Sequence, residues 1–522
     1  MRLLLSLRIW CISGAPAERA TPINEDTMKQ NHGPVPKSMY VLLVGMVILC
    51  SSGAAKAEVE LFKLGKDAKV SVAGEILARD SGESWFQSEP PQADNSYNYF
   101  FTRSRLSLAL RHPYVGAFVQ AQDVHMWGIP EKSIAPAPLG PLGIGPIYYM
   151  HNLSDSPHSL IIRQAYLDFP RLFAKGLSAR IGRFDYADGQ EVVYKNPKVT
   201  WLKNTRLSDR MIGAFDWSAF NRSFDGGQVV YDGKGFNLHS IAVHPTQGGY
   251  ENSANKTISA IDVVTLTGTL KYGEWVKNTE GRLFYYYYND SRNITNTPGP
   301  SGLEEGNIRI NTFGTHWLHT EPIQSGTFDM LFWGAIQEGE WGSLDHKAWA
   351  AAVEGGFQFS KTPWKPWVRG GYFVSSGDSD PNDGEHGTFY QMLPTARKYA
   401  LFPFYNLMNN EDLFIQAILK PKEALTIRAD LHTLNLHEKN DLWYMGAGPT
   451  QAAGSIFGYL GRTSNGHDDL ATVFEIAPSY TFSKYMSANL YYGHAFGSDV
   501  IRSIYSGDSG GDFFSIEFKA QF

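Results

Sequence analysis

The chain has 522 residues, of which 14% are aromatic, 19% are charged and 51 are glycine, with a formal charge of −6. That length admits several globular domains or one large barrel. No run of 18 apolar residues occurs after residue 60, which disfavours helical membrane spans, and the acidic balance does not suit nucleic acid as a partner.

Residues 1–27 precede a second methionine, Met28, and read as an over-extended start. Residues 28–57 read as a secretory signal peptide. Lys29 and Lys37 precede the apolar run 40–50, and Ala55-Lys56-Ala57 forms an A-x-A cleavage site. The mature chain, 58–522, is expected to begin at Glu58. Both cysteines, Cys11 and Cys50, fall before that point, which excludes disulfides and thiolate metal sites from it. Leu49 stands where a lipoprotein at Cys50 needs a small residue. The mature chain keeps 40 Lys/Arg against 49 Asp/Glu, a formal charge of −9.

Strand-like segments then recur. The first is 68–78, followed by 101–111 and 115–126 across the turn His112-Pro113-Tyr114, and then by a long Pro/Gly-rich loop to 158. Segments 160–169 and 177–184 make a pair, and a long loop follows to about 222. Segments 224–231 and 236–244 flank Asp232-Gly233-Lys234-Gly235, a strong hairpin signal. Further strands are expected at 258–271, 281–288, 310–318, 327–337, 348–359, 366–375, 411–419, 424–437, 470–481, 487–497 and 513–522.

That makes eighteen strands, with short and long connections alternating through most of the chain. An all-β, antiparallel, up-and-down transmembrane barrel with short periplasmic turns and long outer loops predicts this pattern. A propeller would show a repeated motif, and there is none. Aromatic clusters near strand ends (Tyr285 to Tyr288, Trp364, Trp367, Tyr491, Tyr492) suit girdles at the two headgroup levels. The last residues read FFSIEFKAQF, alternating apolar and polar with period two, long enough to cross a bilayer at a tilt. This segment is expected to close the barrel against the first strand. Phe522 then falls at the periplasmic rim, where the assembly machinery of outer-membrane proteins reads the terminal residue.

Two motif blocks carry a family resemblance. One runs Ala179-Arg180-Ile181-Gly182-Arg183, then Gly213-Ala214-Phe215-Asp216-Trp217-Ser218, then Arg222-Ser223-Phe224-Asp225-Gly226. The other is Gly377-Asp378-Ser379-Asp380-Pro381-Asn382-Asp383-Gly384, with Gly387-Thr388-Phe389 and Leu393-Pro394-Thr395. From about residue 160 to the C-terminus the chain resembles the bacterial alginate-export outer-membrane porin family. Phe184 stands where that family often has Gln, and Ala396 where it often has Gly. The resemblance implies an 18-stranded barrel in the Gram-negative outer membrane, surrounded by outer-membrane lipid, that passively exports an anionic polysaccharide through an arginine-rich pore.

Fixed positive charge is the chemistry such a pore needs, and arginine supplies it through a planar fork that stays protonated. Strand positions make Arg103, Arg105, Arg163, Arg180, Arg183, Arg222, Arg369 and Arg428 the pore-lining candidates. Arg163 and Arg183 also match arginines of the family motifs. The competing role for each is a wall arginine paired with a lumen carboxylate such as Asp168, Asp216 or Asp225. The loop carboxylates Asp378, Asp380 and Asp383 offer oxygen ligands for Ca2+, though the spacing is not that of an EF-hand and Asp is also an ordinary turn residue. No other cofactor is expected.

Gly507-Asp508-Ser509-Gly510-Gly511 matches the nucleophile segment of trypsin-like proteases, but no histidine block lies upstream and only eleven residues follow. It reads as a hairpin tip. Two alternatives accompany the anionic-solute porin: a general or oligosaccharide/hydrocarbon porin on the same scaffold, and a barrel hydrolase using His432 or His437 with Asp430.

Overall fold

The computed structural model describes residues 58–299, 302–395 and 397–522, without the side chains of 295–305. The expected start extension, the signal peptide and Ala396 lie outside the described residues. Eighteen antiparallel strands form one closed sheet: β1 (Ala68–Ser84), β2 (Ser96–Arg111), β3 (Gly116–Trp127), β4 (His158–Phe169), β5 (Leu177–Phe184), β6 (Phe224–Asp232), β7 (Phe236–Pro245), β8 (Ile261–Leu270), β9 (Thr279–Gly299), β10 (Gly302–Ile323), β11 (Gly326–Trp341), β12 (Leu344–Phe359), β13 (Trp367–Ser375), β14 (Glu411–Lys422), β15 (Leu425–Asn435), β16 (Asp469–Ser483), β17 (Met486–Gly497) and β18 (Gly510–Gln521).

Each strand pairs with its chain neighbours, and β1 pairs with β18 from Glu75↔Gln521 to Ser84↔Asp512. The C-terminal strand therefore closes the barrel, and no long edge remains to template another chain. The Phe522 backbone exchanges two hydrogen bonds with Gly74, of 2.9 and 3.0 Å. A Cβ on Gly74 would lie 2.1 Å from the Phe522 ring, so the ring packs directly against the glycine backbone. Below that point a short strand, Val59–Leu64, takes up the same edge of β1 from Val59↔Val72 to Leu64↔Ala68.

The pleat sorts side chains by face. Leu106 and Leu108 on β2, Leu413 and Ile415 on β14, and Phe514 and Phe518 on β18 are 40–61% exposed on the outer wall. Their neighbours Arg105, Gln416 and Glu517 point inward. This apolar exterior around a polar interior is the inversion a membrane barrel requires. Of the expected aromatic girdle, Tyr286, Tyr288, Trp367 and Tyr491 are buried on the inner face. Adjacent aromatics on a strand alternate between faces, so one cluster serves both the outer wall and the core.

The long connections all leave the end of the barrel opposite the closing rim, and four of them fold into it: 128–157, 185–223, 376–410 and 436–468. The first carries helix α1 (Ile144–Asn152) and the second helix α2 (Pro197–Leu202). The fourth carries the hairpin Leu442–Gly446 with Tyr459–Thr463. Their side chains Phe215, Phe220, Tyr390, Met392, Leu393, Tyr399, Phe402 and Leu407 are fully buried among inward wall residues. The core of this protein is thus an apolar plug inside the outer part of the barrel.

Candidate functional site: the arginine-lined lumen

α2 starts where its sequence dictates. Asn196 caps it, its side chain accepting from the amides of Lys198 and Val199, and Pro197 occupies the first turn, where no N–H is needed. A π-helical turn, Lys203–Leu207, continues it. The segment lies along β9–β13. Lys203 pairs with Glu280 at 2.8 Å, and His316 approaches the same carboxylate at 2.9 Å. Lys198 and Arg369 both reach Asp329, at 3.0 Å. Glu354 gathers three guanidiniums: Arg369 at 2.9 Å, Arg206 at 3.4 Å and Arg210 at 3.5 Å. Apart from Lys198, every one of these side chains is at most 3% exposed.

The motif Gly213–Ser218 forms the tip of the same loop. Phe215 and Asn221 take the left-handed conformation, at φ 54° and 57°, and Ser218 and Asn221 side chains both donate to the Phe215 carbonyl. This self-bonded turn aims Asp216 and Trp217 at the opposite wall, β1–β5. There Arg105 donates to Gln122 (2.8 Å) and Asn221 (2.6 Å). Arg163 donates to Asp185 at 2.6 Å. Arg103 donates to Asn221 at 2.9 Å. Glu75 lies 3.6 Å from Arg105.

Asp216 stands over this group. Its Oδ1 is 3.4 Å from Arg163 and 3.8 Å from Arg105, yet its side chain is 64% exposed. It faces open lumen while the arginines beneath it are nearly buried. The Arg163, Arg105 and Arg103 guanidiniums hold its carboxyl below the usual range. Asp185 shares Arg163, and there burial prevails and raises the carboxyl.

The remaining arginine candidates separate by face and depth. Arg180 is inward on β5, donates to Asp168 at 2.7 Å and stacks over Tyr166. Arg428 is inward on β15, between Asp430 (2.6 Å) and Glu475 (3.3 Å). Arg369 is inward but fully buried in the Glu354 knot. Arg222 lies inside the plug and donates to the Ala447 carbonyl; burial pushes it down to about 10.

Arg183 corrects the pore-lining expectation. It pairs across to Ala165 and Asp225 on the face it shares with Ile181, which is 59% exposed on the outer wall. Its guanidinium is bound bidentately by Asp225, both contacts 2.7 Å. Positions 180 and 183 are three apart, and an odd spacing on a strand puts two side chains on opposite faces.

The acidic loop is wired as turns. Asp378 accepts from the amides of Asp380 and Gly387, Asp380 from Asn382, and Asp383 from Glu385. Among the described residues no three His, Cys, Asp or Glu side chains are placed to hold a metal ion. His432 is fully buried and pairs with Asp412 at 2.9 Å, not with Asp430, and His437 pairs with Glu411. Asp508 accepts from the amide of Gly510, and its carbonyl accepts from Gln87, so the GDSGG segment leads the last outer loop into β18 and is not the hairpin tip expected.

Sequence reasoning missed Arg79, Arg206, Arg210, Arg282, Arg397 and Arg462, all at most 7% exposed. Arg79 lies on β1 one residue past the expected strand end. Arg206, Arg210, Arg397 and Arg462 sit in the long connections, where nothing in the sequence shows which loops fold inward, and Arg282 lies just inside the expected strand 281–288.

The model of one protein family, described as alginate export, matches residues 90–509. The chain belongs to the alginate-export family. Solved structures of similar fold include OccK9 (OpdG) of Pseudomonas aeruginosa, at 10% identity and a TM-score of 0.54, covering 87% of this chain and 98% of that one. OccAB1 of Acinetobacter baumannii matches at 12% identity and 0.54, covering 86% and 96%. OpdK of Pseudomonas aeruginosa, solved with vanillate, matches at 9% and 0.51, covering 86% and 98%. Among curated sequences none matches. Family membership and the closed 18-stranded barrel together make this protein a porin of the Gram-negative outer membrane.

Proposed function

We propose that this alginate-export family porin passes an anionic solute, an acidic polysaccharide of the alginate kind, passively through its lumen. One observation carries the reading. Arg103, Arg105 and Arg163, from β2 and β4, converge beneath Asp216, whose side chain is 64% exposed. Planar guanidiniums at fixed positions suit carboxylates that arrive one after another along a polyuronate. No chemical step is implied, since translocation needs binding that is favourable but brief.

A porin for small solutes on the same scaffold is the second reading. It is favoured by the near balance of charge, because Glu75, Asp185 and Asp216 already sit against those arginines. It is also favoured by the inward loops that narrow the outer part of the barrel. Planar-bilayer recordings separate the two. The first reading expects anion selectivity and current block by added polyuronate. Cation preference with no block would overturn it.

A further inference from the structure

Where the loop tips meet β16–β18 there is a cavity of about 260 Å3, lined in part by Arg79, Trp217, Arg397, Ser479, Asn489, Ser515 and the carboxylate of Glu517. Asn489 is exposed on the inner face of β17, so the cavity opens toward the lumen. Trp217 is held between two guanidiniums. Arg397 stacks on its ring 3.4 Å from the centroid, and Arg79 lies 5.2 Å away.

The two arginines differ in their partners. Arg79 donates to Glu517 at 2.9 Å and to the Trp217 carbonyl at 2.6 Å. Arg397 donates to the Leu401 carbonyl, its Nε is buried without a partner, and among the described residues no carboxylate pairs with it. It is 5% exposed, and its backbone holds the left-handed conformation at φ 66°, which is unfavourable for a long side chain. Arg222, whose Nε and Nη1 are buried without partners, and Arg462 also lack an acid partner and donate to loop carbonyls, but neither lines this cavity. Arg397 borders open volume. A buried cation without a counter-ion is unfavourable unless an anion arrives to pair with it. The cavity holds several waters or one six-membered ring, and Ser479, Ser515 and Asn489 offer hydroxyl and amide groups around it.

We propose that this cavity is a binding site for one carboxylate carried on a six-membered ring, with Arg397 as its counter-ion. The inference rests on the anionic-solute reading and narrows it to a discrete station on the path. The ring could be a sugar or an aromatic, and the probes separate them. Sodium glucuronate and sodium benzoate are titrated onto single channels of the full-length protein in planar bilayers, with glucose as the neutral control.

One or both acids should block wild type, and glucose should not. Arg397→Gln should raise the half-blocking concentration of that acid about tenfold, the size of one charge-assisted hydrogen bond. Ser479→Asp keeps Arg397 and adds a like charge beside the incoming anion, and it should weaken block similarly. Both variants are first checked for heat-modifiable gel mobility. Block by the acid at wild-type concentrations in both folded variants would overturn the site. Block of wild type by polyuronate but by neither monomer would overturn the site while leaving the anionic-solute reading standing. Absence of block by any of the three would overturn both.

Discussion

Two walls of the same barrel use the same chemical pair to opposite ends. Along β9–β13, arginine and carboxylate meet under α2 with no water access, as in the Glu354 knot. Along β1–β5 they meet at the edge of open lumen, and Asp216 keeps most of its side chain in solvent. A buried pair is held because removing one partner strands the other charge in a low dielectric. A pair exposed on one side is exchangeable, since its members can be solvated or can take another partner. The first wall therefore fixes the loop that shapes the passage, and the second presents charge to whatever passes.

The largest effect should come from breaking the buried wall. Glu354→Ala leaves Arg206, Arg210 and Arg369 without their shared acid and should destabilise the protein by about 3–5 kcal/mol. Thermal unfolding in detergent reads the loss, and recordings should show larger, noisier conductance as the loop carrying α2 loosens. An unchanged midpoint would mean the knot is not holding the loop. Asp216→Asn should leave stability unchanged and raise the anion-to-cation permeability ratio severalfold, because it removes the most exposed of the carboxylates set against the arginine cluster. Reversal potentials in a salt gradient measure this.

A smaller effect should follow pH. Burial pushes the Asp209 carboxyl up to about 7, against the opposing pull of the Lys398 ammonium and with the charges of Asp188 and Asp216 adding to the rise. Protonation below about 7 removes a negative charge from the loop, so anion selectivity should increase as pH falls from 8 to 6. Asp209→Asn should shrink that step, leaving the part carried by Asp188, which burial pushes up to about 6. The smallest effect should be Arg183→Gln. On the outer wall, paired to Asp225, it should leave selectivity unchanged, whereas Arg105→Gln should lower it. A loss with Arg183→Gln equal to that with Arg105→Gln would overturn the face assignment.

Much of this architecture is written in local pattern. Every expected strand exists, because an apolar wall facing lipid and a wet face inside impose alternation along each crossing. Boundaries shift where that constraint lapses. Segment 281–288 extends to Thr279–Gly299, since residues beyond the apolar band need not alternate. The motif around Phe215-Asp216-Trp217 was recognisable, and it proved to be the loop tip that meets the arginines.

The sequence by itself determined the barrel, its strand number and the presence of fixed positive charge, because each of these is a repeating or nearest-neighbour property, and the closing strand follows because a closed barrel leaves its two end strands no other partner. Only the tertiary structure decided which arginines matter to the lumen. Arg183 stands opposite Arg180 by parity, but only the pairing with β4 and β6 shows which of the two faces outward; Arg369 is sealed beneath α2, and Arg397 reaches the cavity from a loop far along the chain. Which loops fold inward depends on packing across the barrel's width, between residues such as Arg206 and Glu354 that are 148 positions apart. No local pattern encodes contacts at that separation.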